Sequence, residues 1–203
     1  MNDNAHQWDD AYVGAPPWDV GRPQPAFVAL ADAGKLTGRV LDIGCGTGEN
    51  TLLAATAGAT ATGIDISPRA IAKAQAKAAE RGIDASFAVG DAMQLAEVGE
   101  VFDVVIDSGV FHSFDDDERA RYIASLAAVL HPGGTYYALC FSDATPGDWG
   151  PRRIRRDEFH QAFTDGWTVE AVEPTKFEIT QGNPIDQAYA WLATVVRSGG
   201  APL

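Results

Sequence analysis

Basic residues are scarce in this chain. Fifteen lysines and arginines stand against 28 aspartates and glutamates, which leaves a formal net charge of −13 over 203 residues. Such a surface repels a nucleic acid, so nucleic-acid binding is excluded unless a local basic patch overrides the field. Cysteine is nearly absent: Cys45 and Cys140 lie far apart in sequence and make neither a disulfide framework nor a zinc pattern. They read as two reduced, buried thiols. No apolar run reaches membrane-spanning length, and the N-terminal "MNDNAHQWDD" lacks the basic-then-apolar order of a signal peptide. The expected setting is therefore cytoplasmic, with no membrane partner. What remains is ordinary globular material, 46% hydrophobic and 21% charged, long enough for one α/β domain.

Residues 1–22 show no clear periodicity but carry Trp8, Tyr12 and Trp18 among prolines and glycines, and they read as an arm packed on a core. Residues 23–203 read as a single domain. A short helix is expected from Pro23 to Lys35. Apolar, β-branched runs then alternate with helical ones: "RVLDIG", "ATATGID", "DASFAVGD", "FDVVIDSG" and "TYYALCF" as strands, with helices between most of them. One helix is sharply bounded by Ser67 as N-cap, Pro68 in its first turn and Gly82 at its end. Another runs from about Asp115 to Leu130, and "HPGG" after it reads as a turn. A helix near Arg156 to Thr164 and two final strands, "WTVEAVEP" and "QAYAWLATVVR", close the chain. This alternation argues for a doubly wound parallel sheet.

In such a sheet the ligand lies beyond the carboxyl ends of the strands. The loop "DIGCGTG" lies there. Its Gly44, Gly46 and Gly48 follow G-x-G-x-G, and the dinucleotide fingerprint needs its third glycine one position later. Asp42, two residues ahead of the first glycine, would repel a pyrophosphate and would suit an ammonium group. Asp65 ends the second strand and can accept from both ribose hydroxyls. Asp91 follows the third strand and can accept from an adenine amino group. Amine, ribose and adenine together describe S-adenosylmethionine, although each acid taken singly also reads as a turn or cap residue.

The segments "VLDIGCGTGEN", "GIDIS", "VGDA", "FDVVIDSGVFHSF" and "LHPGGTYYALCF" resemble, in order, the motifs of class I S-adenosylmethionine-dependent methyltransferases. The arm "WDDAYVGAPPWDVGRPQP" resembles that of a small-molecule group containing thiopurine, halide/thiol and mycobacterial heterocyclic-toxin methyltransferases. The resemblance implies a Rossmann-like seven-stranded sheet, mostly parallel, with an antiparallel C-terminal hairpin. It also implies that Gly44, Cys45, Gly46, Asp65, Ile66, Asp91 and Ala92 touch the cofactor under a covering arm. Asp42, Met93, Asp107, Trp8 and Trp18 complete the candidate cofactor set, and Tyr12, Trp18, His112 and Trp149 are candidates for holding the acceptor.

Methyl transfer from a sulfonium needs alignment and dryness, and a base only where the acceptor must lose a proton. The Asn/Asp-Pro-Pro-aromatic motif for exocyclic amines is missing, as is the Pro-Cys nucleophile for a cytosine carbon. Asp115, Asp116 and Asp117 read as helix-capping acids rather than a metal site. The expected reaction is methylation of N, O or S in a small aromatic heterocycle or phenol. A thiol or halide acceptor is the alternative, and a cofactor-binding regulator without activity is the alternative of another class. His112, just past the fourth strand, reads either as a general base titrating near 6.5 or as a backbone-bonded loop residue. His131 is given no catalytic role. Arg152, Arg153, Arg155 and Arg156 read either as acceptor contacts or as a solvated basic turn.

Overall fold

A period of two runs through the central strands, with apolar residues on both phases, and it sends them to two separate cores. From β1 (Arg39–Ile43), Leu41 and Ile43 face one side and Val40 the other. From β4 (Phe102–Ser108), Val105 opposes Val104 and Ile106. From β5 (Leu130–Phe141), Tyr136, Ala138 and Cys140 oppose Tyr137, Leu139 and Phe141. A strand buried on both faces needs helices on both faces, and these are present. The structure is a computed structural model describing residues 3–183 and 188–199. On one face α5 (Asp116–Val129) and α6 (Arg156–Ala162) bring Tyr122, Leu126 and Phe159 into the first core. On the other face α2 (Pro25–Asp32) and α3 (Glu49–Thr56) bring Phe27 and Ala54 into the second.

The sheet has seven strands in the order β3-β2-β1-β4-β5-β7-β6. Here β2 is Thr60–Asp65, β3 is Ser86–Val89, β6 is Trp167–Phe177 and β7 is Ala188–Arg197. β7 runs antiparallel to both β5 and β6, and the remaining pairs are parallel. The chain winds outward from β1 to β3, then returns to place β4 on the other side of β1. The gap above β1 and β4 is the switch point at which such sheets bind ligands.

Local chemistry sets the element ends. Ser67 accepts from the Ala70 N–H to cap α4 (Pro68–Arg81), and Gly82 ends it at φ 62°, a left-handed conformation that suits glycine. Asp115 and Glu118 form a reciprocal capping box on α5, so the Asp115–Asp117 run does cap a helix. Three features differ from the sequence expectation. The arm begins with a helix, α1 (Asp3–Ala11), whose apolar positions are too few to show a stripe. "HPGG" is not a free turn: it continues into β5, and the pairing register with β4 shifts there. A 3-10 turn spans Ala92–Val98, capped by Asp91.

Candidate active site

The loop joining β1 to α3 is built on positive-φ glycines at 44, 46 and 48. Space as well as backbone conformation demands glycine here. A Cβ on Gly44 would lie 2.3 Å from Val110 Cγ2, and one on Gly46 would lie 2.8 Å from the Tyr12 hydroxyl. The loop thus forms the floor of a cleft whose other walls include Tyr12, Trp18, Asp19, Ser108 and Phe177. Tyr12 is buried against this loop, and its hydroxyl accepts from Trp18 Nε1 at 3.0 Å. Trp18 also packs edge-on against Trp8 and Tyr12.

Polar contacts fasten the arm over the loop. Asp9 accepts from the Ser67 hydroxyl (2.7 Å), the Arg69 N–H (3.0 Å) and the Arg69 guanidinium at the start of α4. Lys73 donates to the carbonyls of Tyr12 and Gly14, and Thr47 donates to Asp19 at 2.8 Å. Gln24 clasps the backbone of Glu178 in both directions.

Three carboxylates stand at successive strand ends. Asp65 accepts from the Gly46 N–H (2.9 Å) and the Ser67 N–H (2.8 Å). Burial raises its pKa against the pull of those two donors. Asp91 caps the 3-10 turn through Met93 N–H. Asp42 is fully buried and accepts from the Thr51 hydroxyl at 2.6 Å, but its Oδ1 has no partner. Burial pushes its pKa up to about 7, and the nearby Asp107 and Asp65 carboxylates add to that rise.

A family model described as "Methyltransferase domain" matches residues 40–134. The chain is 37% identical over 164 residues to the 2-heptyl-1-hydroxyquinolin-4(1H)-one methyltransferase of Mycobacteroides abscessus, covering 79% of this chain and 72% of that one. It is 31% identical to the probable thiol methyltransferase 2 of Arabidopsis thaliana, covering 77% of this chain and 70% of that relative. A solved structure concerned with the conversion of a disulfide bond into a thioacetal group during echinomycin biosynthesis superposes with a TM-score of 0.89 at 35% identity. That match covers 98% of this chain and 94% of the other. The chain belongs to the class I S-adenosylmethionine-dependent methyltransferases. It is an enzyme of that class, and its cofactor is S-adenosylmethionine.

The residues of this methyltransferase fit that cofactor. A buried carboxylate oxygen without a donor, two residues ahead of the glycine loop, matches an ammonium group in charge. Tyr12, Trp18, Gly44, Cys45 and Gly46 come together on the cleft. Ile66 follows Asp65, and Ala92 and Met93 follow Asp91, one strand further out.

Asp107 and Trp149 do not line the cleft, and His112 takes the backbone-bonded one of its two expected readings. Asp107 accepts from the Val110 and Phe111 N–H groups and from the hydroxyls of Tyr122 and Tyr136, all within 3.1 Å. Its carboxylate is fully buried and shapes the turn after β4, and it does not line the cleft. Trp149 does not line the cleft. Arg153 gathers the carbonyls of Thr145, Pro146, Gly147, Trp149 and Pro151, which folds this loop back and packs Trp149 on the second core. His112 is buried, and its Nδ1 accepts from the Phe141 N–H at 2.9 Å. Burial and the cations Arg119 and Arg153 push its pKa down to about 3, so it does not titrate near 6.5.

Arg152 pairs with Asp116 and Glu158, and Arg155 pairs with Asp157. These arginines and Arg153 are engaged in ion pairs and carbonyl bonds within the fold. His131 bonds Asp103 at 2.8 Å, away from the cleft. Ser108, Phe177 and Asp19 were not foreseen as cleft residues. Ser108 had a signal in its place at the end of β4. Phe177 had none, since it reaches the site only through the antiparallel β6.

Proposed function

We propose that this methyltransferase acts on a nucleophilic oxygen, sulfur or nitrogen of a small aromatic heterocycle or phenol. The observation that carries this reading is the cleft under the arm, where Tyr12, Trp18 and Phe177 meet the glycine loop beside Ser108, with the polar Asp19, Arg22 and Gln24 on the same walls. These aromatic side chains offer faces on which a flat ring can stack. The relative acting on a hydroxyquinolinone supports the same class of acceptor. When bound, S-adenosylmethionine supplies an electrophilic methyl group whose transfer leaves a neutral thioether. The chain's own part is to hold the acceptor in line and dry. A sulfur acceptor is the second reading, favoured by the thiol methyltransferase relative and by the sulfur chemistry described for the solved structure.

Within this proposal residues 1–22 are a covering arm and residues 23–203 the catalytic domain. Cofactor contacts run through Asp42, Gly44, Cys45, Gly46, Asp65, Ile66, Asp91, Ala92 and Met93, with Trp8 and Trp18 above. The acceptor is a small molecule, not a nucleic acid, as the charge of −13 supports. Among the described residues no helix is long and apolar enough to cross a membrane, and both thiols are free and buried. A cytoplasmic setting is proposed on that basis. The test is a transfer screen with methyl-labelled S-adenosylmethionine against hydroxyquinolinones, phenols, thiols and iodide. Label should appear on the first three classes. Tight S-adenosylhomocysteine binding with no label on any acceptor would favour a regulator.

A further inference from the structure

His112 sits in the 3-10 turn Phe111–Ser113, directly beyond β4 and its cleft residue Ser108. Its ring stacks on Phe177, which lines the cleft, at 6.0 Å and 28°, and meets Phe141 edge-on at 5.3 Å. A backbone N–H can only donate, so the Nδ1 that receives the Phe141 N–H carries no proton. The ring's remaining proton is therefore on Nε2. Protonating Nδ1 as well would set two N–H groups against each other at 2.9 Å. The fold thus fixes both the tautomer and the neutral state. Nε2 has no hydrogen-bond partner among the described residues, and the ring is buried one layer behind the cleft, against its wall residue Phe177. Nε2 lies beside Gly109, where a Cβ would come within 3.0 Å of it.

Two cations lie nearest this ring, and carboxylates stand close behind them: Arg119 is paired with the buried Glu158 at 2.9 Å, and Asp107 accepts from the N–H of the neighbouring Phe111. Arg119, from α5, stands 4.8 Å over Phe111 and donates to its carbonyl. Arg153, from the loop after β5, stands 5.4 Å over Phe141. Cys140, beside it on β5, is a buried thiol whose pKa is raised, and β6 contributes the apolar Phe177. A ring nitrogen held as a permanent donor suits an acceptor atom that carries a free lone pair and no proton, as an anion does.

We propose that His112 is a fixed hydrogen-bond donor whose Nε2–H orients an acceptor that arrives already ionised, and that the ring takes up no proton. This rests on the methyl-transfer reading above and narrows it. The acceptors are those acidic enough to lose their proton to water unaided, such as N-hydroxy heteroarenes, acidic phenols and aromatic thiols. The lone pair of the oxygen or sulfur anion forms the new bond to the methyl carbon. The S–CH3 bond of the sulfonium breaks, and its electron pair stays on that sulfur.

The test begins with histidine-15N-labelled full-length protein bound to S-adenosylhomocysteine, with His112 assigned by the signals lost in His112→Asn. The ring should remain the neutral Nε2–H tautomer from about pH 5.5 to about 9, spanning the ordinary histidine range. Adding the anion of 1-hydroxyquinolin-4(1H)-one or of thiophenol should shift its N–H proton downfield. Titration near 6.5, a proton on Nδ1, or no shift with either anion overturns the proposal. Kinetics supply the second arm. His112→Asn, which can still accept from Phe141 but has no donor at the Nε2 position, should lower kcat by roughly 10²-fold, the scale of one lost oxyanion donor. His112→Gln places a donor near that position and should recover much of the loss. Both variants are first checked for unchanged S-adenosylhomocysteine affinity. Equal losses in the two would contradict the donor role. An absence of product from the unmutated enzyme would fail the functional reading instead, and the NMR signals would still decide the state of the ring.

Discussion

The buried Asp42 carries the sharpest residue-level consequence. Its folded pKa, about 7, lies above its ordinary value of 3.8. The folded chain therefore holds this proton more tightly than the unfolded chain does. The stability linked to Asp42 is full below the ordinary value and declines as pH rises toward about 7. Asp42→Asn should flatten that decline in cofactor-free protein and should weaken S-adenosylhomocysteine binding, both readable by thermal melts across pH. An unchanged melting profile would mean that Asp42 is not a buried, uncompensated charge. At the next strand end, Asp65→Ala should weaken S-adenosylhomocysteine binding by about 1.5–3 kcal/mol, the scale of charged hydrogen bonds, with the chain still folded. Calorimetry that finds no change would remove Asp65 from the site. These acids were legible in the sequence because strand ends and glycine spacing fix their places. Asp107 looked equivalent in the sequence, and its bonds to Tyr122 and Tyr136 were not legible, since no local pattern near β4 foretells them.

Among the elements, the arm is the most exposed to test. Asp9 anchors α1 on the start of α4 through Ser67 and Arg69, and Tyr12 hangs from that anchor over Gly46. Removing the residues before Gly21 should abolish most turnover while leaving the far-ultraviolet spectrum of the sheet intact. Turnover equal to that of the full chain would show that covering the cleft is unnecessary. The strands and the caps of α4 and α5 were readable because Ser67, Pro68, Gly82 and Asp115 state them locally. α1 was not, since "DNAHQWDDA" owes its place to docking on α4 rather than to an apolar stripe. The function of Arg153 was equally hidden, because five carbonyls bonded by one guanidinium are a property of the folded loop.

For the whole molecule, the two-sided sheet places every element of the chemistry at one edge. The glycine loop, the three acids, Ser108 and His112 all lie at or just beyond the carboxyl ends of β1 to β4. Only Phe177 arrives from the antiparallel part, and the arm arrives from the opposite end of the chain. The sheet's architecture followed from alternation and apolar runs. The composition of the acceptor wall did not, because it depends on where β6 and the arm come to rest. The measurement that bears most directly on the account is mass-spectrometric detection of label carried from methyl-labelled S-adenosylmethionine to 1-hydroxyquinolin-4(1H)-one or thiophenol by the full chain. The account predicts one labelled methyl on oxygen or sulfur, formed with stoichiometric S-adenosylhomocysteine. Bound S-adenosylhomocysteine with no methylated product from these or any phenol, thiol or iodide would contradict it.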